Sequence, residues 1–263
     1  MGKRIHIVGC SPRSGTSLMA ELFTNCFEID GYSKHEMSIF IYPKQPYQIF
    51  CSKEPQDVMA AGPLLAIDPD LWIVYLLRDP RDVVVSRHNL APTLYWSNLR
   101  LWKRFHQAAQ QIESPRFITV RYEDLVNTPD RVQQELMLKI PFLKKRANFT
   151  DFHKLASPSK QSLKALREVR PISNKSVGRW RQHKPRIKAQ LALHGPIARD
   201  LIELGYEEDS NWLQELNDVI ANNDRSHWPE HVATRRRLRA RAKRWAKVLR
   251  YALQLGYRQF KRG

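Results

Sequence analysis

The stretch Ser11-Pro-Arg-Ser-Gly-Thr-Ser17 decides the fold of this chain. An apolar run at residues 5–8 precedes it, and apolar residues at helical spacing follow at residues 18–23. This order predicts a strand, a tight loop and a helix. Gly15 lets the backbone approach a ligand closely. The N–H groups of the first helical turn and the helix dipole together form an anion site.

The side chains of the same loop suit an oxyanion. Arg13 offers a planar guanidinium that can bind an oxyanion through two hydrogen bonds, and the hydroxyl groups add donors. The loop differs from the nucleotide P-loop, because five residues separate Gly9 from Gly15 and Thr16 stands where that motif has its lysine. We therefore predict a site for a phosphate-like group. Its candidate binding residues in the loop are Ser11, Arg13, Ser14, Gly15, Thr16 and Ser17.

Length and composition indicate a globular protein. The chain has 263 residues, of which 42% are hydrophobic and 27% charged. No apolar run is long enough to cross a bilayer. The three cysteines have no paired or metal-ligand spacing, and the N-terminus shows no charged-then-apolar leader. We therefore expect a reduced, cytoplasmic setting.

A second apolar run, at residues 71–77, is continuous, which is typical of a strand buried on both faces of a parallel sheet. After it, Asp79 is the expected N-cap of a helix and Pro80 its first residue. Strands alternate with helices along the chain. The pattern predicts an α/β fold with a P-loop-like parallel sheet, helices on both faces and a long basic C-terminal helix.

Further elements follow from the same periodicity. Helices are expected from Pro80 to residue 90 and over residues 57–66, 95–113, 127–143, 187–204, 212–221 and 231–260. Residues 37–50 are predicted to be irregular, or a short helix, and to line a cleft. Residues 147–171 are predicted to form a mobile loop.

Arg78 and Ser86 form a second candidate anion site. Arg78 ends the buried strand, at the edge where open α/β sheets bind ligands. Ser86 is about two turns into the predicted helix, so both side chains can reach one phosphate. The alternative is a capped helix start in which Arg78, Asp79, Arg81 and Asp82 neutralise one another.

Together the two motifs resemble those of sulfotransferases that use 3′-phosphoadenosine-5′-phosphosulfate (PAPS). The resemblance implies that residues 11–17 hold the 5′-phosphosulfate of the donor. It also implies that Arg78 and Ser86 hold the 3′-phosphate. Two motifs in the right order are far more specific than either alone.

Two later segments extend the resemblance to about residues 3–206. Arg121-Tyr-Glu-Asp-Leu125 is similar to the family segment whose tyrosine, Tyr122 here, lies beside the nucleotide. Gly178-Arg-Trp180 is similar to the C-terminal loop that closes over the donor, with Arg179 as the expected contact.

Other details are similar to the protein-tyrosine type and to bacterial carbohydrate sulfotransferases. Arg13 replaces the lysine of the soluble small-molecule enzymes. Cys51-Ser-Lys-Glu-Pro55 resembles the segment whose lysine, Lys53 here, contacts the transferring sulfuryl group. Glu36 falls near the acidic pair that supplies the base, and His35 stands where the first acid would be. Glu36 is therefore the expected base, with His35 as the second candidate.

The resemblance implies in-line transfer of a sulfuryl group to a hydroxyl of a carbohydrate, a glycolipid or a tyrosine. Arg13, Lys53 and the loop amides would stabilise the charge on the leaving oxygen. No metal is expected, since sulfuryl transfer needs no ion to bridge polyphosphate oxygens and no carboxylate pair suits magnesium. Asp79 and Asp82 are assigned to the helix start instead.

The net charge of +18 is concentrated in the tail, where residues 234–263 contain 12 Lys and Arg and no acid. We predict a sulfotransferase domain at residues 1–222 and a basic amphipathic extension at residues 223–263. The extension suggests an anionic membrane surface, and with it a peripheral position on the inner face of the membrane. The alternative is a helix that packs on the body with a solvated basic face. The predicted apolar face consists of Leu238, Trp245, Leu249, Leu253, Tyr257 and Phe260.

Three other functions remain open at this stage. A P-loop nucleotide kinase would share the first loop, although the motif's lysine is missing. A nucleic-acid-binding protein would explain the pI of about 10, although no recognised binding motif accompanies the charge. A degenerate member of the sulfotransferase fold would bind the nucleotide without catalysis.

Overall fold

The structure is a computed structural model that describes residues 2–33, 36–88, 91–156, 169–222 and 224–260. Its strands are β1 Lys3–Gly9, β2 Gly31–Tyr32, β3 Ile49–Lys53, β4 Leu71–Leu77, β5 Arg87–His88, β6 Ala91–Tyr95 and β7 Phe117–Arg121. Its helices are α1 Thr16–Cys26, α2 Val58–Ile67, α3 Pro80–Val84, α4 Leu99–Gln110, α5 Tyr122–Asn127, α6 Pro129–Lys139, α7 Phe152–Leu155, α8 Lys184–His194, α9 Ala198–Glu203 and α10 Thr234–Phe260. Short 3-10 turns lie at Pro55–Asp57, Phe149–Asp151, Arg179–His183 and Asn211–Leu216.

A parallel sheet forms the centre of the molecule. Within the described residues it has five strands in the order β2-β3-β1-β4-β7. Strands β5 and β6 pair separately as an antiparallel hairpin. Only Trp72 of β4 is more than slightly exposed, as the continuous apolar run predicted. The predicted α/β class with a parallel sheet is confirmed.

Helices cover both faces of this sheet. One core cluster joins the sheet to α2, α4 and α10 through residues such as Leu64, Trp102 and Tyr251. The other joins it to α1 and α6 through residues such as Phe23 and Leu136. Both clusters consist of buried side chains, which exclude water from the sheet.

The functional edge of the sheet follows from its topology. Because the strands are parallel, the loops after β1, β3, β4 and β7 all leave from the same edge. Strand β1 lies between β3 and β4. The chain passes from β1 to β2 and β3 on one side of it, and then to β4 and β7 on the other side. Open α/β sheets bind ligands in the crevice at such a switch point.

The predicted helix from Pro80 to residue 90 is too long. Asp79 does cap α3 by accepting a hydrogen bond from the Arg81 N–H at 2.8 Å, and Pro80 is the first helical residue. The helix ends at Val84, and the chain continues into β5. Three successive β-branched valines at residues 83–85 disfavour further helix. Ser86 therefore follows the helix and does not lie on its second turn.

Two other helix predictions are wrong in their limits. The helix expected at residues 95–113 begins at Leu99, because Asn98 caps it by accepting from the Leu101 N–H at 3.0 Å. The helix expected at residues 187–204 is two helices, α8 and α9. They are separated at Gly195, which has a positive φ of 77°, and by a proline, which has no N–H for a helical hydrogen bond.

Three irregular regions also differ from expectation. Residues 37–50 include the start of β3, a strand that the nearby prolines and aromatic residues had concealed. The loop predicted at residues 147–171 begins with a 3-10 turn and α7, where Phe149 and Phe152 are buried. Residues 157–168 lie outside the described residues. The helix expected at residues 212–221 is a 3-10 turn, Asn211–Leu216.

The long C-terminal helix α10 is confirmed, and it packs on the body. Val248, Tyr251 and Leu255 are buried against the core. The predicted face, represented by Leu249 and Leu253, is exposed instead. No helix in the described ranges has the length and apolar character required to cross a bilayer.

Candidate active site

The loop between β1 and α1 has a strained backbone. Gly15 has a φ of 99°, and Arg13 has a positive φ of 78°, which is uncommon for a residue with a side chain. A Cβ at Gly15 would lie 2.5 Å from Cδ2 of Tyr122, so only glycine fits there. Strain of this kind persists where surrounding contacts impose it, and it is concentrated at binding sites.

The loop hydroxyl groups have different environments. Ser14 Oγ is buried and has no hydrogen-bond partner within the described ranges. Ser11 Oγ is hydrogen-bonded to Ser97 Oγ. Thr16 is buried at the start of α1, and Ser17 is half-buried beside it. A buried hydroxyl without a partner calls for an explanation, and Ser14 has the capacity to donate to a ligand.

Arg13, Ser86 and Arg78 bring the two motifs together. Arg13 Nε donates to Ser86 Oγ at 3.1 Å. Arg78 Nη1 donates to the carbonyl oxygen of Arg13 at 2.9 Å. The side chains predicted to hold the two ends of the donor are therefore adjacent, although more than 60 residues separate them in the chain.

Tyr122 lies beneath Arg78. The Arg78 guanidinium carbon is 4.2 Å from the centroid of the Tyr122 ring, and Arg78 Nη2 donates to the carbonyl oxygen of Ser176 at 2.7 Å. The Tyr122 hydroxyl is hydrogen-bonded to Ser176 Oγ at 2.7 Å. Arg78 Nε is buried without a hydrogen-bond partner in the part of the chain that is described. Arg78 is thus fixed in place, and one of its donors remains available.

Asp82 anchors the Gly178 segment to the second motif. Its carboxylate accepts from the N–H groups of Gly178 at 2.7 Å and of Trp180 at 3.0 Å. Arg179 lies between these two anchored residues and is exposed. Asp82 is thus bound to backbone N–H groups of the Gly178 segment, whereas Asp79 pairs with Arg81 as in the alternative of a self-neutralising helix start.

Arg81 contacts the same segment through the ring of Trp180. Its guanidinium carbon lies 4.3 Å from the Trp180 ring centroid and 4.8 Å from that of Trp212. It forms ion pairs with Asp79 at 2.8 Å and with Glu207 at 2.5 Å. These partners raise the pKa of the guanidinium and keep it charged in a buried position.

Lys53 and Glu36 form an ion pair at 3.3 Å. Lys53 ends β3 and is buried, whereas Glu36 lies on the chain that follows β2. The Met37 N–H donates to the carbonyl oxygen of Lys53 at 3.0 Å, which brings the two segments together. His35, the second predicted base, lies outside the described residues.

Glu54 is a candidate site residue to which the sequence analysis assigned no role. Burial, together with the nearby carboxylates of Glu36 and Asp57, raises the pKa of its carboxyl to about 7. A carboxyl with a pKa near neutrality is suited to proton transfer. No local sequence pattern signals this property, because it depends on burial and on neighbours from other segments.

The residues at this edge suit a doubly anionic ligand. Arg13, Lys53 and Arg78 bring guanidinium and ammonium groups to the carboxyl ends of the strands, and Ser14 adds a hydroxyl that has no partner among the described residues. A carboxyl, from Glu36 or Glu54, lies next to the cations. Among the described residues, no group of three or more His, Cys, Asp and Glu side chains could hold a metal ion.

The chain matches the family model of the sulfotransferase family over residues 32–138. That segment contains Glu36, Lys53, Arg78, Ser86 and Tyr122. No curated protein matches the chain.

Several solved structures show weak similarity. The sulfotransferase domain of the olefin synthase from Synechococcus PCC 7002 has 13% identity and a TM-score of 0.45, with 68% of this chain and 88% of that chain covered. The sulfotransferase domain from the curacin biosynthetic pathway has 13% identity and a TM-score of 0.41, with 97% of both chains covered. Retinol dehydratase, solved with androsterone and the inactive cofactor PAP, has 15% identity and a TM-score of 0.39, with 87% of this chain and 83% of that chain covered.

The matched segment carries the second motif and the strands on either side of it. Over residues 32–138, the chain is therefore similar to the sulfotransferase family.

Proposed function

We propose that this enzyme uses PAPS as its donor and transfers the sulfuryl group to a hydroxyl of a carbohydrate, a glycolipid or a tyrosine. The observation that carries the proposal is the contact of Arg13 with Ser86 and of Arg78 with the Arg13 backbone. These contacts join a loop suited to a 5′-phosphosulfate to a pair suited to a 3′-phosphate. Nucleotides without a 3′-phosphate would leave Arg78 without its anionic ligand.

The donor would be held by groups that the chain already orients. The amides and hydroxyls of residues 14–17 would bind its 5′ end, and Arg78 with Ser86 would bind its 3′-phosphate. Tyr122 supports Arg78 from below, and Arg179 extends from the Gly178 segment toward solvent. When bound, the donor supplies the sulfuryl group, whose bond to the leaving phosphate breaks as the acceptor oxygen attacks.

The proton of the acceptor hydroxyl passes to a carboxylate. We assign this role to Glu36, whose carboxylate lies 3.3 Å from the Lys53 ammonium. The ammonium has three N–H donors, so Lys53 can hold Glu36 and still donate to the developing charge on the leaving oxygen. Glu54 is a further candidate, because a pKa near 7 leaves its carboxyl partly ionised at neutral pH.

Donor choice is tested by calorimetric titration of the wild-type protein with 3′-phosphoadenosine 5′-phosphate, AMP and magnesium ATP. We expect the 3′-phosphate to improve affinity over AMP by about 100-fold, since hydrogen bonds to charged groups contribute roughly 1.5–3 kcal/mol each. Tighter binding of magnesium ATP than of the 3′-phosphorylated nucleotide would contradict the proposal and favour a nucleotide kinase.

The roles of Lys53 and Glu36 are tested by transfer of radiolabelled sulfuryl to a panel of glycans, glycolipids and tyrosine peptides. Lys53→Met should lower kcat by about 100- to 1,000-fold, as the loss of one charge-stabilising donor does. Glu36→Gln should lower kcat about 100-fold or more, which is typical of a lost general base. Glu135→Gln, at an exposed carboxylate on α6, is the control. If Glu36→Gln keeps full activity and Glu54→Gln loses it, the general base is Glu54 and the assignment to Glu36 is wrong.

A further inference from the structure

Helix α10 has two apolar faces, and only one of them is used by the fold. Val248, Tyr251 and Leu255 are buried against the body. The Tyr251 hydroxyl is hydrogen-bonded to Asp68 and Arg4, which are themselves buried. These contacts fix the rotation of the helix about its axis.

The second face, here called the outer stripe, consists of Leu238, Trp245, Leu249, Leu253 and Tyr257. Their exposed fractions are 60%, 50%, 65%, 76% and 59%. The intervals of seven and then four residues put them on one line along the helix. Since the body already holds the opposite side, the outer stripe cannot turn inward.

Basic residues border the outer stripe. Arg239, Lys243 and Arg250 are exposed, and their positions on the helix lie on the side of the outer stripe that faces away from the body. Residues 234–263 carry 12 Lys and Arg and no acid. The residues from Thr234 to Lys243 are all exposed, so the first part of α10 presents its side chains to water.

We propose that the outer stripe docks on an anionic phospholipid bilayer. Its leucines and Trp245 would enter the boundary between headgroups and acyl chains, while Arg239, Lys243 and Arg250 contact the headgroups. Charge complementarity selects this occupant. Two copies joined stripe to stripe would bring their basic borders together, and a nucleic acid would leave the large apolar side chains in water.

The test is co-sedimentation of the full chain with vesicles of phosphatidylcholine alone and with about 30% phosphatidylglycerol, a composition that creates the negative surface potential described for anionic leaflets. We expect binding to the anionic vesicles and little to the neutral ones. Leu249→Gln with Leu253→Gln should weaken binding about 100-fold, since each buried leucine contributes about tenfold or more. Leu138→Gln, at an exposed leucine on α6, is the matched control and should bind as the wild type does.

A variant with three basic residues removed tests whether the basic border of the outer stripe contacts the anionic headgroups. Arg239→Gln, Lys243→Gln and Arg250→Gln together should weaken binding about 100-fold, because each basic residue near an anionic surface contributes about fivefold. Unchanged binding by the leucine variant would show a purely electrostatic contact and overturn the proposal. Equal binding to both vesicle types would overturn it, and so would a dimer in solution that the leucine variant dissociates. Nucleotide titration checks that the variants are folded.

Discussion

The carboxyl edge of the sheet and helix α10 are both rich in positive charge, but they hold it differently. At the edge, Arg78, Arg81 and Lys53 are buried, and each has fixed partners. On α10, most basic residues are exposed to water. Buried cations of fixed geometry recognise a particular anion, whereas exposed cations attract any anionic surface and are screened by salt. The difference supports the two proposals, a specific donor site at the edge and a separate, less specific contact surface on α10.

The largest effect on stability should come from the buried charge at the edge. Arg81→Met leaves Asp79 and Glu207 without their cation and should lower the free energy of unfolding by about 3–5 kcal/mol. Urea denaturation measures it. Arg131→Met breaks an exposed ion pair on α6 and should cost less than about 1 kcal/mol. Equal losses in the two variants would remove the distinction between buried and exposed charge.

A glycine-to-alanine substitution should have opposite effects on the free energy of unfolding in the two regions. Gly15→Ala places a Cβ against Tyr122 at a φ of 99° and should cost about 2–4 kcal/mol of unfolding free energy, with weaker nucleotide binding. Gly256→Ala, in α10 with no atom within 4 Å of the added Cβ, should stabilise the protein by about 0.5–1 kcal/mol. Thermal and urea unfolding measure both changes. A stable Gly15→Ala protein with normal nucleotide affinity would refute the strained loop.

The pH dependence of stability should reveal Glu54. Its pKa is about 7 in the folded protein, against about 4.3 in an unfolded chain, so folding takes up a proton between these values. The stability contributed by the protonated carboxyl is present below about pH 4.3 and is lost as the pH rises through 7. Relative to Glu54→Gln, the free energy of unfolding of the wild type should fall by about 1–3 kcal/mol between pH 5 and pH 8. If the free energies of unfolding of the two proteins change with pH in the same way, the Glu54 carboxyl is exposed to water and the prediction is wrong.

The smallest effect is expected where α10 meets the body. Tyr251→Phe removes a buried hydroxyl and leaves Asp68 and Arg4 with one partner fewer, which should cost about 1–2 kcal/mol of unfolding free energy. Nucleotide affinity should not change. Tyr32→Phe, at an exposed tyrosine on β2, is the control and should lie within about 0.5 kcal/mol of the wild type. A large loss of nucleotide affinity in Tyr251→Phe would show that the two regions are coupled.

Local patterns predicted much of the edge. The strand-loop-helix at residues 3–26 and the strand that ends before Arg78 follow from apolar runs, a glycine and an N-cap, all of which act over a few residues. The helix limits were less predictable. Ser86 follows α3 because of a valine run, and Gly195 divides a helix whose periodicity continues on both sides.

Contacts between distant segments could not be predicted from the sequence. The pairing of Glu36 with Lys53 depends on the order of β2 and β3 in the sheet, and the pKa of Glu54 depends on burial. On α10, the outer stripe was predicted as one face. The sequence left open whether that face contacts a membrane or packs on the body, because the body-facing side is selected by Arg4 and Asp68, more than 180 residues away.

The most direct test of the account is calorimetric titration of 3′-phosphoadenosine 5′-phosphate into wild type, Arg78→Ala and Arg131→Ala. We predict micromolar binding by wild type and by Arg131→Ala, and a loss of about 100-fold or more in Arg78→Ala, since that change removes a charged hydrogen-bonding partner of the 3′-phosphate. Unfolding curves establish that the Arg78→Ala protein is folded. Equal affinity of all three proteins, or no binding by wild type, would contradict the donor site proposed at the carboxyl edge of the sheet.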